Sequence, residues 1–177
     1  MKGVMLDLET MGNGSNAAIT AIGAVEFDTE TNLIGDKFYS IIDLESSVNS
    51  GGVIDPSTVL WWMKQSDAAR NEFTKEGVTM YQALLDFRTW MSGRVAEVWG
   101  NGATFDNVVL RNAYLRADVE APWDFRGDRC YRTLKALHPP ILIPSVGTAH
   151  NAVNDAEYQA RILLEIYKEN YNNNHRR

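Results

Sequence analysis

Two carboxylates stand one residue apart near the start of the chain, within the largely hydrophobic segment Val4–Glu9. On a β-strand, residues i and i+2 face the same side, so Asp7 and Glu9 project together. Val4, Leu6 and Leu8 then face the opposite side. Two like charges on a buried strand are costly unless a cation neutralises them, and a divalent ion that prefers oxygen ligands is the natural partner. The alternative is an exposed strand end where water solvates both acids.

A further acid, Asp106, follows a glycine-rich turn between a short predicted strand, Val95–Trp99, and a predicted helix. Ligands commonly bind at such strand-to-helix turns, at the carboxyl edge of an α/β sheet. Asn101 opens the turn, where its side chain can contact a substrate or fix the loop. Asp is also a favoured N-cap residue, so Asp106 can equally serve to begin the helix.

The last segment that can do chemistry holds His150 and, after four intervening residues, Asp155. Residues with this spacing point about 140° apart on a regular α-helix, so the two converge only if His150 lies on the turn before the helix. That arrangement combines a fixed metal ligand with a base on a less constrained segment. Histidine suits general-base catalysis because an imidazole ordinarily titrates near neutral pH. The alternative is a surface histidine beside a helix start.

The elements that must position these residues follow an α/β pattern, with three strands first and helices alternating with strands afterwards. The predicted strands are Val4–Glu9, Ala18–Phe27, Phe38–Ile42 and Val95–Trp99, followed by a strand or extended segment at Cys130–Leu134. A hairpin turn is expected at Asp28–Asn32. The predicted helices run from Asp55-Pro56 to about Gln65, over Thr79–Met91 and Asn107–Arg116, over a short stretch stopped by Pro139-Pro140, and from about Ala149 to Asn170.

The composition is that of a soluble globular protein. A length of 177 residues, 45% of them hydrophobic, predicts one domain over residues 1–171 with a disordered tail at 172–177. No apolar run is long enough to span a membrane, and acids interrupt the N-terminal apolar stretch too early for a secretory signal. The single cysteine, Cys130, cannot form an internal disulfide, which predicts a cytoplasmic protein.

The net charge of −6 argues against a protein that slides along duplex DNA, because phosphate neutralisation requires Lys and Arg. The basic residues are unevenly distributed, however. Residues 107–135 contain six of them against four acids. Divalent cations held by the acids would also reverse the local field where a phosphate must lie. The charge is therefore compatible with an enzyme that acts on strand ends.

Taken together, the motifs resemble the DEDD superfamily of exonucleases, in its His-containing, DnaQ-like (DEDDh) branch. The three stretches that carry this resemblance are Asp7-Leu-Glu9-Thr10, Asn101-x-x-x-Phe105-Asp106 and His150-x-x-x-x-Asp155. Two more stretches are similar to the RNase AS-type 3′→5′ exoribonuclease group and its phage-encoded exonuclease relatives. They are Trp61-Trp62-Met-Lys-Gln-Ser and Pro122-Trp123 leading to Asp128-Arg129-Cys130-Tyr131-Arg132-Thr133. The resemblance covers nearly the whole chain.

This resemblance implies a ribonuclease H-like fold, with a five-stranded mixed sheet flanked by helices. It implies a 3′→5′ exonuclease that releases nucleoside 5′-monophosphates from a single-stranded RNA or DNA 3′ end, using two Mg²⁺ (or Mn²⁺) ions. By that analogy Asp7 bridges both ions, and Glu9 and Asp155 complete the tighter site. Asp106 acts mainly through bound water, and His150 deprotonates the attacking water. The resembled group also forms homodimers.

Candidates for substrate contact surround these motifs. They are Thr10, Met11, Gly12, Asn101, Phe105, Trp62 and Arg132. Met11 can alternatively pack in the core, and Arg132 can lie on a solvated surface. Trp61 and Trp62 point about 100° apart on a helix, so one of them is expected in the core. The other is free to stack on a base or to lie in a subunit interface, and the sequence does not decide which is which.

The substrate has two readings. The closest resemblance slightly favours RNA, whereas the phage relatives favour DNA, and the distinction rests on contacts to the 2′-hydroxyl that the sequence does not reveal. A noncatalytic nucleic-acid-binding module on the same fold is a third hypothesis. A noncatalytic module would be expected to lack some of the motif acids, but all four acids and the histidine are present.

Overall fold

A five-stranded mixed sheet lies at the centre of the protein, in a computed structural model that describes residues 1–94 and 97–174. The strands are β1 (Lys2–Thr10), β2 (Ile19–Asp28), β3 (Leu33–Ile41), β4 (Val98–Gly100) and β5 (Asp128–Cys130). Their order across the sheet is β3-β2-β1-β4-β5. Because β1 runs antiparallel to β2 and parallel to β4, this central strand is paired along both edges. The expected α/β fold with a five-stranded mixed sheet is confirmed.

Helices surround the sheet in the described part of the chain. They are α1 (Leu44–Asn49), α2 (Pro56–Trp62), α3 (Asp67–Glu72), α4 (Met80–Met91), α5 (Asp106–Arg116), α6 (Tyr131–Ala136) and α7 (Ala152–Asn174), with a 3-10 turn at Phe125–Gly127. Asp55 caps α2 by accepting hydrogen bonds from the backbone N–H groups of Ser57 and Thr58. None of these described helices combines the length and the apolar character needed to cross a membrane.

Most of the predicted elements are present, and one is wrong. Cys130–Leu134, predicted as extended, is strand only up to Cys130 and then turns into α6. The reason is tertiary, because the helical turn buries Tyr131 against residues of α7. Sequence patterns did not predict the short helices α1 and α3. Residues Val95 and Ala96 of the predicted strand Val95–Trp99 lie outside the described residues, as do residues 175–177 of the predicted tail, and α7 continues through Asn174.

The two faces of the sheet have separate cores. Val4, Leu6 and Leu8 of β1 pack against α4 and α5. Met5, from the opposite face of β1, packs against the apolar side of α7. The alternation of β1 therefore directs Asp7 and Glu9 towards α7, as the i, i+2 spacing predicts.

The start of α7 approaches the sheet so closely that only glycine fits beneath it. Gly23 of β2 pairs with Asp7 of β1, and a Cβ atom at position 23 would lie 2.1 Å from the backbone carbonyl carbon of Ala152. Such a distance is far inside van der Waals contact, so a side chain there would force helix and sheet apart. Gly23 thus allows the first turn of α7 to lie directly beside the acid pair.

We expect Gly23→Ala to destabilise the protein by about 1–3 kcal/mol, because overpacking must displace the backbone of α7. Urea denaturation followed by circular dichroism measures the change. Gly14→Ala is the matched control, since a Cβ at Gly14 would meet its nearest neighbour only at 3.4 Å. Equal stability of the two variants would contradict the close-approach explanation.

Candidate active site

The acid pair of β1 lies at the bottom of a cleft beneath α7. Glu9 is 8% exposed, so its carboxylate is largely removed from water. Asp7 accepts a hydrogen bond of 2.7 Å at Oδ1 from Nε2 of Gln159, a buried residue of α7. The alternative of a solvated strand end is therefore wrong for Glu9, and the fold holds Asp7 in a fixed orientation.

Asp106 approaches the acid pair from the edge of β1 that pairs with β4. It is the first residue of α5, and the residue at the N-cap position, Phe105, makes no side-chain capping bond. The carboxylate Oδ1 of Asp106 instead accepts a hydrogen bond of 3.3 Å from the backbone N–H of Leu8, between the two acids of β1. The N-cap interpretation of Asp106 is thus wrong, because its carboxylate is directed towards the strand.

His150 and Asp155 converge in the way that their spacing requires. His150 lies before α7 in the left-handed backbone region, at φ +60°, and Asp155 lies in the first turn of the helix. The backbone N–H of His150 donates a hydrogen bond of 2.9 Å to Oδ2 of Asp155. Ligand atoms of Glu9, His150 and Asp155 all lie within 4.8 Å of one another. Residues distant in sequence therefore present their polar atoms to one small volume.

Asn151 anchors the segment that carries His150, a role the sequence did not suggest. Its Oδ1 accepts a hydrogen bond of 3.3 Å from the backbone N–H of Asn154, which caps the start of α7. Its Nδ2 donates to the hydroxyl of Tyr39 and to Oε2 of Glu72, each at 3.1 Å. The Tyr39 hydroxyl also donates to Oε2 of Glu72, at 2.8 Å. These bonds fasten the turn at His150 to β3 and α3.

The cleft formed by these elements has a volume of about 390 Å³. It contains all four acids and the histidine. The remaining residues of its lining are Leu8, Asn101, Phe105, Tyr131, Arg132, Lys135, Tyr158 and Gln159. A larger cavity, of about 440 Å³, lies between α7 and residues 143–146, but no member of the acid cluster lines it. The smaller cleft is therefore the candidate active site.

Burial raises the pKa values of the four acids in the cleft, and neighbouring acids add to the shifts of Asp7 and Glu9. Burial, followed by the charges of Asp155 and Asp106, raises the pKa of Glu9 to about 8. Burial raises the pKa of Asp106 to about 6, although the Leu8 N–H and the Arg132 charge oppose the shift. Burial and the neighbouring acids hold the pKa of Asp7 well above its usual range, and burial also raises the pKa of Asp155. Burying these carboxylates together costs free energy, and a bound divalent cation would offset that cost.

The donor set decides which cation fits. Carboxylate oxygens dominate, one imidazole is adjacent, and no described thiol lines the cleft. Oxygen-rich sites suit Mg²⁺ or Mn²⁺, whereas Zn²⁺ favours nitrogen and sulfur. The buried Oε1 of Gln159 has no hydrogen-bond partner within the described chain, so an acceptor remains beside Asp7 for a water molecule of an ion's hydration shell. The residues present therefore fit a divalent cation.

Three of the predicted substrate contacts, Asn101, Phe105 and Arg132, line the cleft. The segment after the acid pair has packing roles instead. The Thr10 hydroxyl donates to the carbonyl of Gly12 at 2.7 Å, and a Cβ at Gly12 would lie 2.5 Å from the carbonyl oxygen of Val53. Met11 is buried in a small apolar cluster. The core-packing alternative for Met11 is therefore correct. Substrate contact by Thr10, Met11 and Gly12 stays a prediction.

The tryptophan pair resolves into one buried and one exposed ring. Trp62 is 4% exposed, and its indole N–H donates a hydrogen bond of 2.9 Å to the carbonyl of Thr10. Trp61 is 44% exposed, and its ring lies edge-on to His150 with centroids 5.1 Å apart. Stacking on a base by Trp62 is wrong, because the protein covers its ring. Trp61 is the indole that can meet a base.

Gln159 and Lys135 are cleft residues that the motifs did not identify. Gln159 lies four residues after Asp155, and the i, i+4 rule places such residues on the same helix face. That spacing was the available signal for Gln159. Lys135 follows Arg132 by three residues, but the segment was predicted as extended, so the shared face was not apparent.

We expect the metal-free protein to lose stability as pH rises from about 5 to 8. Glu9 and Asp106 keep their protons in the folded state, with pKa values of about 8 and 6, at pH values where the unfolded chain has released them. The unfolded state then binds fewer protons, so the free energy of unfolding falls with rising pH. Mg²⁺ should restore stability, and more so at the alkaline end.

Urea denaturation in EDTA and in MgCl₂ at both ends of this range measures the effect. Glu9→Gln is the control, since a neutral amide removes the contribution of Glu9 to the pH dependence. A metal-free protein that is equally stable or more stable at the higher pH would contradict the shifted pKa values.

Gln159→Leu should weaken binding of Mn²⁺ by about tenfold or more, because Asp7 loses the donor that orients it. Isothermal titration calorimetry measures the affinity. Gln82→Leu is the matched control, since the side chain of Gln82 lies on the exposed side of α4, where it donates to Oδ1 of Asp86 at 2.8 Å. Unchanged affinity in the Gln159 variant would show that Asp7 needs no such support.

Comparisons with known proteins agree with this geometry. The exodeoxyribonuclease of Enterobacteria phage T4 is 25% identical over 121 residues, which make up 60% of this chain and 52% of that protein. The chain therefore matches only about half the length of that curated relative. The nuclease domain of 3′hExo, a DEDDh family member bound to rAMP, superposes with a TM-score of 0.62 at 16% identity, over 95% of this chain and 92% of that one.

E. coli exonuclease I in complex with a dT13 oligonucleotide superposes with a TM-score of 0.66 at 16% identity, over 93% of this chain and 40% of that one. These two structural likenesses show the ribonuclease H-like fold of DEDDh exonucleases. The family model for the 3′–5′ exoribonuclease Rv2179c-like domain matches residues 2–167, nearly the whole chain. The protein belongs to the Rv2179c-like 3′–5′ exoribonuclease domain family.

Proposed function

We propose that the protein is a metal-dependent 3′→5′ exonuclease that hydrolyses phosphodiester bonds at single-stranded 3′ ends and releases nucleoside 5′-monophosphates. The observation that carries this proposal is the convergence of Asp7, Glu9, Asp106, His150 and Asp155 in one cleft. These residues come from β1, α5 and the start of α7, and only the fold brings them together. Membership of the 3′–5′ exoribonuclease domain family supports the same reaction.

Each acid has a distinct role in holding the cations. Asp7, at the bottom of the cleft and oriented by Gln159, would be the central ligand of the divalent cations, Mg²⁺ or Mn²⁺. Glu9 and Asp155 would complete the tighter site, and Asp106 would contribute mainly through bound water. When bound, the pair of ions supplies electrostatic stabilisation of the attacking and leaving oxygens of an in-line displacement. The carboxylates then ionise fully, because the ions replace the mutual repulsion with attraction.

His150 is the residue that removes the proton from the attacking water. Its ring lies at the edge of the acid cluster, and its backbone N–H is fixed by Asp155. The rings of Trp61 and Trp62 flank it edge-on, at centroid distances of 5.1 and 5.7 Å. These contacts limit the orientations of the imidazole and hold it beside the acid cluster, where it would accept a proton from the attacking water.

RNA is the slightly favoured substrate in this proposal, because the matching family is described as exoribonucleases. Exodeoxyribonuclease activity on DNA ends is the alternative, and the phage T4 relative supports it. The structural neighbours include one bound to rAMP and one bound to dT13, so the fold accommodates either sugar. A noncatalytic nucleic-acid-binding module is the least favoured reading, since the cleft retains every acid of the motifs.

Matched RNA and DNA oligonucleotides labelled at the 5′ end test the function directly. We expect a ladder of shortened products in MgCl₂ or MnCl₂, faster with RNA, and no ladder in EDTA. Chromatography of the released nucleotides should show 5′-monophosphates. Failure to shorten either strand in both metals would overturn the proposal.

We expect Asp155→Asn to reduce the rate at least about a thousandfold, because it removes one charge from the tighter cation site. Asparagine keeps an oxygen that can accept the hydrogen bond from the His150 backbone, so the fold should survive. Asp86→Asn, on the exposed face of α4, is the matched control and should retain full activity. Near-normal cleavage by a folded Asp155→Asn variant would remove this residue from the mechanism.

The assembly and location of the protein are further parts of the proposal. The homodimer implied by the family resemblance, and the cytoplasmic location suggested by the single cysteine, stay predictions. Trp123 is buried, and its indole N–H donates a hydrogen bond of 2.7 Å to Oδ1 of Asp128, so this ring is not available for contact with a partner.

A further inference from the structure

The basic residues around α6 divide into two groups. Outside the cleft, arginines are paired with acids: Arg111 with Asp128 at 3.1 Å, Arg126 with Asp124 at 3.3 Å and Arg129 with Glu97 at 2.8 Å. Arg132 and Lys135 line the cleft and make no ion pair with any described acid within 4.0 Å. Both side chains are exposed. Two cations beside the acid cluster are therefore available to a ligand.

The two available cations share one face of α6. Residues three apart on a helix are neighbours, and Lys135 lies about 4.5 Å further along the helix axis than Arg132. The guanidinium of Arg132 lies close to Gly102, where an added Cβ would be 3.3 Å from its Cζ, and so beside the turn that leads to Asp106. The ammonium of Lys135 lies 5.9 Å from the ring centroid of Tyr131, another residue of the cleft. A line of positive charge thus leads away from the acids.

We propose that Lys135, next to Arg132, binds the phosphodiester that lies one nucleotide upstream of the scissile bond. This inference rests on the proposed exonuclease function, because it assigns the path of the same substrate strand. Lys135 would receive the phosphate as a point charge, and its ammonium lies 5.9 Å from the ring of Tyr131, which lines the same cleft. A phosphate is the fitting ligand because the chain is acidic overall, with a net charge of −6, and a polyanion needs a local cationic path to approach the acids.

The contact can also be tested by removing the charge from the substrate phosphate instead of from Lys135. Single-stranded oligonucleotides with one methylphosphonate, placed either at the second linkage from the 3′ end or far upstream, are compared with the unmodified strand. The proteins are the wild type, Lys135→Gln, Lys135→Arg and Arg126→Gln. Arg126→Gln removes the same charge from an exposed arginine outside the cleft, and its activity should match the wild type.

We expect Lys135→Gln to raise KM about three- to tenfold with little change in kcat, and Lys135→Arg to restore most of the loss. The wild type should suffer a similar penalty when the second linkage is neutral, and Lys135→Gln should suffer no additional penalty. The far-upstream methylphosphonate should affect both proteins equally. The slope of log binding constant against log salt should fall by about 0.7 in Lys135→Gln, as one lost phosphate contact requires.

If the increases in KM caused by Lys135→Gln and by the neutral linkage multiplied when combined, the two changes would be independent and the proposal would be overturned. Lys135 would then only weaken the negative potential of the acids. Fluorescence anisotropy of the same strands, measured with Ca²⁺ in place of Mg²⁺, repeats the comparison without cleavage. If the wild type cleaved nothing, the proposed function would fail, yet the binding comparison would still decide whether Lys135 contacts that phosphate.

Discussion

The burial of four carboxylates in one cleft is the constraint on which the rest of the structure depends. Asp7, Glu9, Asp106 and Asp155 line this cleft, where burial raises the pKa of each acid and neighbouring charge adds to the shifts of Asp7 and Glu9. An unassisted chain would separate such charges. The core on each face of the sheet supplies the opposing free energy, because β1, α5 and α7 cannot move apart without exposing apolar surface. A cleft strained in this way is prepared for divalent cations.

The geometry of the cleft depends on small contacts at the start of α7. Gly23 lets the helix backbone lie against β2, and Asn151 fastens the preceding turn to Tyr39 and Glu72. Gln159 then orients Asp7 from the same helix. Precise placement of the reacting groups is a large part of enzymatic rate enhancement, so these contacts matter as much as the acids they hold in place.

The distribution of charge is compatible with the proposed action of this acidic protein on a polyanion. Most arginines near α6 are neutralised by neighbouring acids, whereas Arg132 and Lys135 face the cleft. Positive charge is thus concentrated where we propose that a strand enters, and bound divalent ions would extend it to the scissile phosphate. The net charge of the chain says little about such a site, because screening confines the field to its surroundings.

The sequence by itself determined the α/β class of the fold and the local placement of the acids. Alternation along β1 put Asp7 and Glu9 on one face, and the spacing of His150 and Asp155 required a turn before α7, because strand and helix periodicity are local properties. The tertiary structure decided what depends on distant neighbours. It buried Trp62 and left Trp61 exposed, turned Cys130–Leu134 into a helix by burying Tyr131, directed Asp106 to the Leu8 N–H, and brought Gln159 to Asp7. Packing between elements far apart in the chain sets these outcomes, and no local pattern encodes it.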